Sequence, residues 1–188
     1  MSKRGILIIL SGPSGVGKGT VREKVFEDPT INLSYSISMT TRLPRSGEID
    51  GVHYYFVDQQ YFEKAIQEDA LLEYAQFVGN YYGTPKFAVD KLLDEGKNVL
   101  LEIEVQGAKQ VMEKCPEAIT IFMVPPSFEE LERRIRGRRS EPEDIVAQRL
   151  NKARSEMELK KNHKYVVTND TIENSSKAII DIIKSVSN

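Results

Sequence analysis

At 188 residues the chain is long enough for one compact domain that buries roughly 70% of the surface its unfolded form exposes. Its 26 Lys and Arg against 28 Asp and Glu leave a formal net charge of -2, which excludes a global positive field for nucleic acid or an anionic membrane, so any phosphate binding has to be local. Cys115 is the one cysteine, and His53 and His163 are the two histidines, too few for a disulfide framework or a zinc site.

Residues 6–10 (ILIIL) follow Lys3 and Arg4. Five aliphatic residues are too few for a signal-peptide core or a membrane span, and a cytoplasmic protein is expected. The run stops at a Gly/Pro/Ser cluster, the pattern of a strand buried on both faces of a parallel sheet; it is the expected first central strand. Residues 34–83 lack long aliphatic runs and are rich in Ser, Thr, Arg, Tyr and Gly. They read as an inserted subdomain of short strands with one helix near residues 61–68. Thr84 is read as a helix cap ahead of Pro85 at the first helical position, with Gly96 as the stop.

Aliphatic runs recur at residues 98–103, 118–124 and 164–168, with helical patterns between them, an alternating α/β order that predicts a parallel central sheet. After Pro125 and Pro126, the pair Ser127 and Glu130 has the spacing of a capping box. Residues 133–149, strongly charged and containing Gly137 and Pro142, suit an exposed, mobile segment. At the end, Ala178, Ile179, Ile182, Ile183 and Val186 form one helical stripe that packs on a sheet.

The first strand runs into Gly12-Pro13-Ser14-Gly15-Val16-Gly17-Lys18-Gly19-Thr20, which contains the G-x-x-x-x-G-K core of a P-loop. Successive backbone N–H groups converge there on phosphate oxygens, the next helix presents its positive end, and Lys18 neutralises the β and γ phosphates. A chance glycine-rich turn is the alternative, and the order strand, loop, helix argues against it. Where many P-loop proteins carry a Mg²⁺-binding hydroxyl, directly after the lysine, this chain has Gly19. Thr20 then serves the metal directly, serves it through water, or only caps the phosphate site. That arrangement resembles nucleoside monophosphate kinases more than GTPases. Two acids, Glu102 and Glu104, end a strand run; alternation places them on one face, able to hold Mg²⁺ waters or to meet a second substrate. Solvated strand-end glutamates are the plainer reading.

Residues 35–57 (YSISMTTRLPRSGEIDGVHYYFV) and 73–85 (EYAQFVGNYYGTP) resemble guanylate kinases. With the P-loop, EIEVQGA at 102–108, the arginine-rich segment and Thr168-Asn169-Asp170, the resemblance covers nearly the whole chain. It implies a three-layer P-loop α/β fold: a core of residues 1–33 and 84–188, a mixed α+β GMP-binding subdomain at 34–83, and a mobile lid at 133–149. It implies Mg²⁺-dependent transfer of the ATP γ-phosphoryl group to GMP and dGMP, for guanine nucleotide biosynthesis and recycling. Neither nucleic acid nor membrane is an expected partner.

Residue by residue, the resemblance assigns Ser38, Arg42, Arg45, Tyr54 and Tyr82 to the phosphate of GMP, and adds Glu48 and Glu102 to the acceptor site. Guanidinium forks bind phosphate in a bidentate way and hydroxyls add short donors without charge. Glu73 and Thr84 fall on the guanine-reading positions, with Glu104 as a second contact to the amine. Guanine presents N1–H and an amine beside O6, so AMP would leave the Glu73 carboxylate facing a lone pair, at a cost of about 1–3 kcal/mol or more. Arg134, Arg138 and Arg149 are assigned to the transferring phosphates and Asn169 to the adenine side. The acceptor phosphate is already nucleophilic, so alignment and charge neutralisation by Lys18, Mg²⁺ and these arginines carry the chemistry. Two other readings are a non-catalytic guanylate-kinase-like binding module and a P-loop kinase with a different acceptor. A solvated basic helix or an RNA-binding patch is the competing reading of the arginines alone.

Overall fold

The computed structural model describes residues 3–137 and 142–187. Its centre is a five-stranded sheet in the order β2-β7-β1-β8-β9. The strands are β1 (Leu7–Ser11), β2 (Leu33–Ser34), β7 (Asn98–Glu102), β8 (Ile119–Val124) and β9 (Tyr165–Thr168), and every pairing is parallel. Alternate residues of β1 serve opposite faces. Ile8 and Leu10 pack with Val21, Val25, Ile179 and Ile183 of helices α1 (Lys18–Phe26) and α7 (Ile172–Ser187). Leu7 and Ile9 pack with Val89, Leu93, Ala108 and Val111 of α3 (Lys86–Asp94) and α4 (Val105–Lys114). A strand covered on both faces needs apolar residues at every position, which is why this run does not alternate. The final stripe is seated as expected, with Ile179 and Ile183 buried.

The second sheet has the order β4-β3-β6-β5, from β3 (Met39–Thr40), β4 (Tyr55–Phe56), β5 (Leu71–Phe77) and β6 (Asn80–Pro85). It is mixed: β3 runs parallel to β4 and antiparallel to β6, and β5 and β6 form an antiparallel hairpin. Helix α2 (Gln59–Gln67) closes its small core, with Phe62 and Ala65 against Met39 and Leu71.

Three local expectations are corrected. Thr84 is not a helix cap. It lies in β6 and its hydroxyl faces Glu73, while Pro85 takes the cap position of α3. Glu104 is not on a strand, because β7 ends at Glu102 and Glu104 is the N-cap of α4. The capping box is half formed: the Ser127 Oγ accepts from the Glu130 N–H at 3.1 Å, but the Glu130 carboxylate holds Arg133 and Arg134 instead. Within the charged segment, the described residues fall largely on two helices. Arg133 to Arg136 belong to α5 (Phe128–Arg136) and residues from Glu143 onward to α6 (Glu143–Met157). Leu131 and Ile135 of one helix bury against Val146, Leu150 and Ala153 of the other. No helix among the described residues is long and apolar enough to cross a membrane.

Candidate active site

The loop after β1 wraps a cavity of about 320 Å³ lined by Gly12, Ser14, Gly15, Gly17, Lys18, Gly19 and Thr20 on one side. Pro13 accepts the Val16 N–H through its carbonyl at 3.3 Å, which curls the loop. Gly17 holds φ +95, and a Cβ there would lie 2.8 Å from the Asn169 Nδ2; the left-handed backbone and the close approach both require glycine. The Lys18 ammonium donates to the carbonyls of Gly12 at 2.7 Å and Pro13 at 3.3 Å. Burial lowers its pKa, opposed by the charges of Glu102, Glu156 and Glu104.

Behind the loop, Asn169 at the end of β9 is buried. Its Nδ2 donates to the Val16 carbonyl at 2.7 Å and its Oδ1 accepts from the Ser175 hydroxyl at 2.8 Å. Arg134 is drawn in the same way, donating to the carbonyls of Val16 and Asn169 at 3.2 Å each while Glu130 holds its Nε at 2.8 Å. Gly15, Gly17, Thr20, Arg134, Asn169 and Asp170 border a second cavity of about 450 Å³. Arg149, on α6, donates to the Ser14 hydroxyl at 3.2 Å. Arg138 lies outside the described residues.

The far wall of the P-loop cavity is acidic: Glu102, Glu104 and Glu156, with Lys152 among them. Glu102 is joined to Arg22 at 2.7 Å. The Glu104 side chain is 77% exposed, with Lys152 at 3.6 Å. No group of three or more His, Cys, Asp or Glu able to hold a metal ion occurs among the described residues. Mg²⁺ does not need such a cage, because it keeps several waters and binds through one or two carboxylates and substrate phosphates. The Thr20 hydroxyl and the Glu102 carboxylate, on the same cavity, fit that mode.

The second sheet carries the remaining residues. Thr84, 2% exposed, donates its hydroxyl to the Glu73 Oε1 at 2.6 Å. Burial raises the Glu73 pKa, and the Thr84 hydrogen bond opposes the shift. Arg42 forks onto Glu48 through two bonds of 2.9 and 2.8 Å, and the Arg45 N–H adds a third at 2.7 Å. That pairing with Arg42, joined by the Arg45 backbone bond, holds the Glu48 carboxyl down at about 2. The Arg42 guanidinium lies 5.5 Å from the centroid of the Tyr54 ring, and Tyr54 meets Tyr82 edge-on at 6.2 Å. Ser38 sits at the start of this patch, its carbonyl accepting the Tyr55 N–H at 2.8 Å. Arg42, Glu48, Tyr54 and Tyr82 are therefore one cluster, in which both oxygens of Glu48 are engaged by Arg42.

Sequence reasoning passed over Arg22, Lys152 and Glu156. Glu156 is 8% exposed and its Oε2 finds no donor among the described residues. The spacing Arg149, Lys152, Glu156 was the available signal, since it puts three charged groups on one face of α6. Arg22, one turn after Lys18, gave no signal, because only the fold brings it to Glu102.

The protein-family model described as guanylate kinase matches residues 4–186. Guanylate kinase of Listeria monocytogenes serotype 4b (strain F2365) is 52% identical over 185 residues, covering 98% of this chain and 90% of that protein. Guanylate kinase of Latilactobacillus sakei subsp. sakei (strain 23K) is 53% identical, with 98% and 91% covered. The crystal structure of guanylate kinase from Anaplasma phagocytophilum superposes with a TM-score of 0.72 at 33% identity, covering 98% of this chain and 87% of that one.

Proposed function

The chain belongs to the guanylate kinase family, a family of nucleotide kinases, and from that premise we propose that it transfers the γ-phosphoryl group of MgATP to GMP and dGMP, in the cytoplasm, supplying guanine nucleotide biosynthesis and recycling. The observation that carries the acceptor is the pairing of the half-buried Glu73 with the buried Thr84. A carboxylate beside a hydroxyl matches the adjacent donors and acceptor of guanine and mismatches adenine.

In this reading Lys18 leaves the Gly12 and Pro13 carbonyls for the β and γ phosphates, and the P-loop N–H groups cradle the same oxygens. Arg134, Arg149 and Arg138 neutralise the transferring group, and Arg42 and Arg45, with Ser38, Tyr54 and Tyr82, hold the acceptor phosphate in line. Glu48 acts on the acceptor by aiming Arg42. Glu104 adds a contact to the guanine amine, and Asn169 borders the adenine side. Mg²⁺ bound to ATP would be held by Thr20 and, through water, by Glu102, and supplies neutralisation of phosphate charge. Residues 34–83 form the GMP-binding unit, and residues 133–149 the lid whose closure excludes water from the γ-phosphoryl group.

The test is ADP release with ATP and Mg²⁺ over GMP, dGMP, AMP, CMP and UMP, with Lys18→Ala as control. Turnover restricted to guanine nucleotides and lost in the control supports the proposal. Turnover with another acceptor overturns the reading of Glu73 and Thr84, and GMP binding without turnover leaves a binding module.

A further inference from the structure

Glu73 stands on an edge strand. β5 is the last strand of its sheet, and its ladder to β6 shifts register between Leu71 and Glu73. An edge strand with an irregularity is a poor place to fix a side chain, since one set of its N–H and C=O groups is unpaired and its register is weakly specified. Here α4 takes over that edge. The Gln110 side chain accepts from the Tyr74 N–H at 3.1 Å and donates back to the Tyr74 carbonyl at 3.0 Å, as a neighbouring strand would. The Lys114 ammonium donates to the Leu71 carbonyl at 2.7 Å, on the other side of the irregularity, and to Asp69 at 2.6 Å. Between these two ties lies Glu73. Its Oε2 is so close to α4 that a Cβ on Gly107 would stand 2.9 Å away.

Gly107, Gln110 and Lys114 are spaced by three and four, so they share one face of α4. That helix starts directly after Glu102 and Glu104, which line the P-loop cavity. The helix that grips the edge strand is therefore rooted at the acidic wall of the phosphate site.

We infer that Gln110 is a specificity-determining positioning residue: its paired bonds to the Tyr74 backbone, with the gap left by Gly107, fix the Glu73 carboxylate where it reads the acceptor base. The inference rests on the proposed role of Glu73 toward guanine. Gln110 touches no substrate. It sets the backbone one residue from Glu73, and the small-residue gap sets how far the carboxylate reaches toward α4. Gln110→Met keeps the length and apolar stem but leaves the Tyr74 N–H and C=O without the side-chain pair. Loss of such bonds at a partly buried edge is worth roughly 10-fold in binding.

The experiment is steady-state kinetics of the full chain with GMP and IMP as acceptors, IMP lacking only the exocyclic amine, for wild type, Gln110→Met, Gly107→Ala and Glu73→Gln. The expected result is a KM for GMP raised roughly 10-fold in Gln110→Met with the KM for ATP unchanged, and a preference for GMP over IMP that falls toward that of Glu73→Gln. In the double variant with Glu73→Gln, Gln110→Met should add no further loss of preference. Gly107→Ala keeps the Tyr74 bonds and favours the helix, so it reads the displacement of Glu73 alone and should lower the same preference. A lowered melting temperature with the GMP to IMP ratio intact in both variants overturns the inference and leaves Gln110 a packing residue. A ratio unchanged in Glu73→Gln itself overturns the reading of Glu73 on which the inference stands.

Discussion

Thr84 and Glu73, directly opposite each other on the β5–β6 hairpin, form a 2.6 Å hydrogen bond in which the hydroxyl is almost fully buried and donates to the carboxylate. The pair is local in register but eleven residues apart in sequence, and it sets the acid's behaviour. Desolvation of the carboxylate is the larger influence, so the folded protein holds the Glu73 proton more tightly than the unfolded chain does.

That excess affinity has a sign. A group whose folded pKa is raised makes stability fall as pH rises from the ordinary glutamate range, about 4.5, through the raised value. Recognition of two guanine donors requires the ionised form and should strengthen over the same interval. Glu73→Gln is expected to flatten both trends: its melting temperature should gain on wild type as pH rises from about 4.5 through the raised value, while its affinity for GMP, followed by calorimetry, should lose its pH dependence. A wild-type stability curve that rises like the variant's would refute this account of Glu73.

Gly17→Ala should damage the donor site alone. At φ +95 an alanine costs about 1–2 kcal/mol of backbone strain, and its Cβ would press on the Asn169 amide that holds the Val16 carbonyl. The expected outcome is a KM for ATP raised roughly 10-fold or more, with the KM for GMP little changed. Equal effects on both substrates would mean that the loop does not act as a separate phosphate cradle.

Glu48→Gln tests whether the carboxylate aims Arg42. The Arg42 fork and the Arg45 N–H hold the Glu48 carboxyl at about 2, so its contribution to stability is present above the ordinary value of 4.5 and is lost as pH falls toward about 2. The gap in melting temperature between wild type and Glu48→Gln should therefore close across that interval. At neutral pH the KM for GMP should rise roughly 2- to 5-fold, the scale of a partly exposed ion pair; no change would remove Glu48 from the acceptor site.

Ser127→Ala removes the side-chain cap of α5. A loss of about 1 kcal/mol is expected in chemical denaturation, since the helix also rests on Leu131 and Ile135 in the α5–α6 core. Because Arg134 is positioned from this helix, kcat at saturating substrate reports whether the helix start also tunes the site. A loss well above 2 kcal/mol would show that the half-formed box matters more than a single cap does.

What the sequence alone determined is what short-range physics encodes. A five-residue aliphatic run that stops at a Gly/Pro/Ser cluster reads as a strand covered on both faces, so residues 6–10 announced the central strand β1 and the parallel sheet around it. The glycine spacing announced the loop, because a backbone that must pass close to Asn169 with φ +95 admits no side chain. The stripe at the end announced α7, with its apolar face on the sheet. Tertiary structure decided the rest. Thr84 beside Pro85 satisfies the local rule for a helix start, yet the hairpin register pairs it with Glu73 and the sheet overrides the cap. Alternation placed Glu104 on the strand, but β7 stops at Glu102 and the next residues turn into α4. Glu130 has the spacing to complete a box, and two arginines on its own helix compete for its oxygens more strongly than one backbone N–H. Arg22 with Glu102 and Gln110 with Tyr74 join elements far apart in the chain. No local pattern marks such pairs, because only the packing of helices on two sheets fixes which polar groups lose water together and must answer one another.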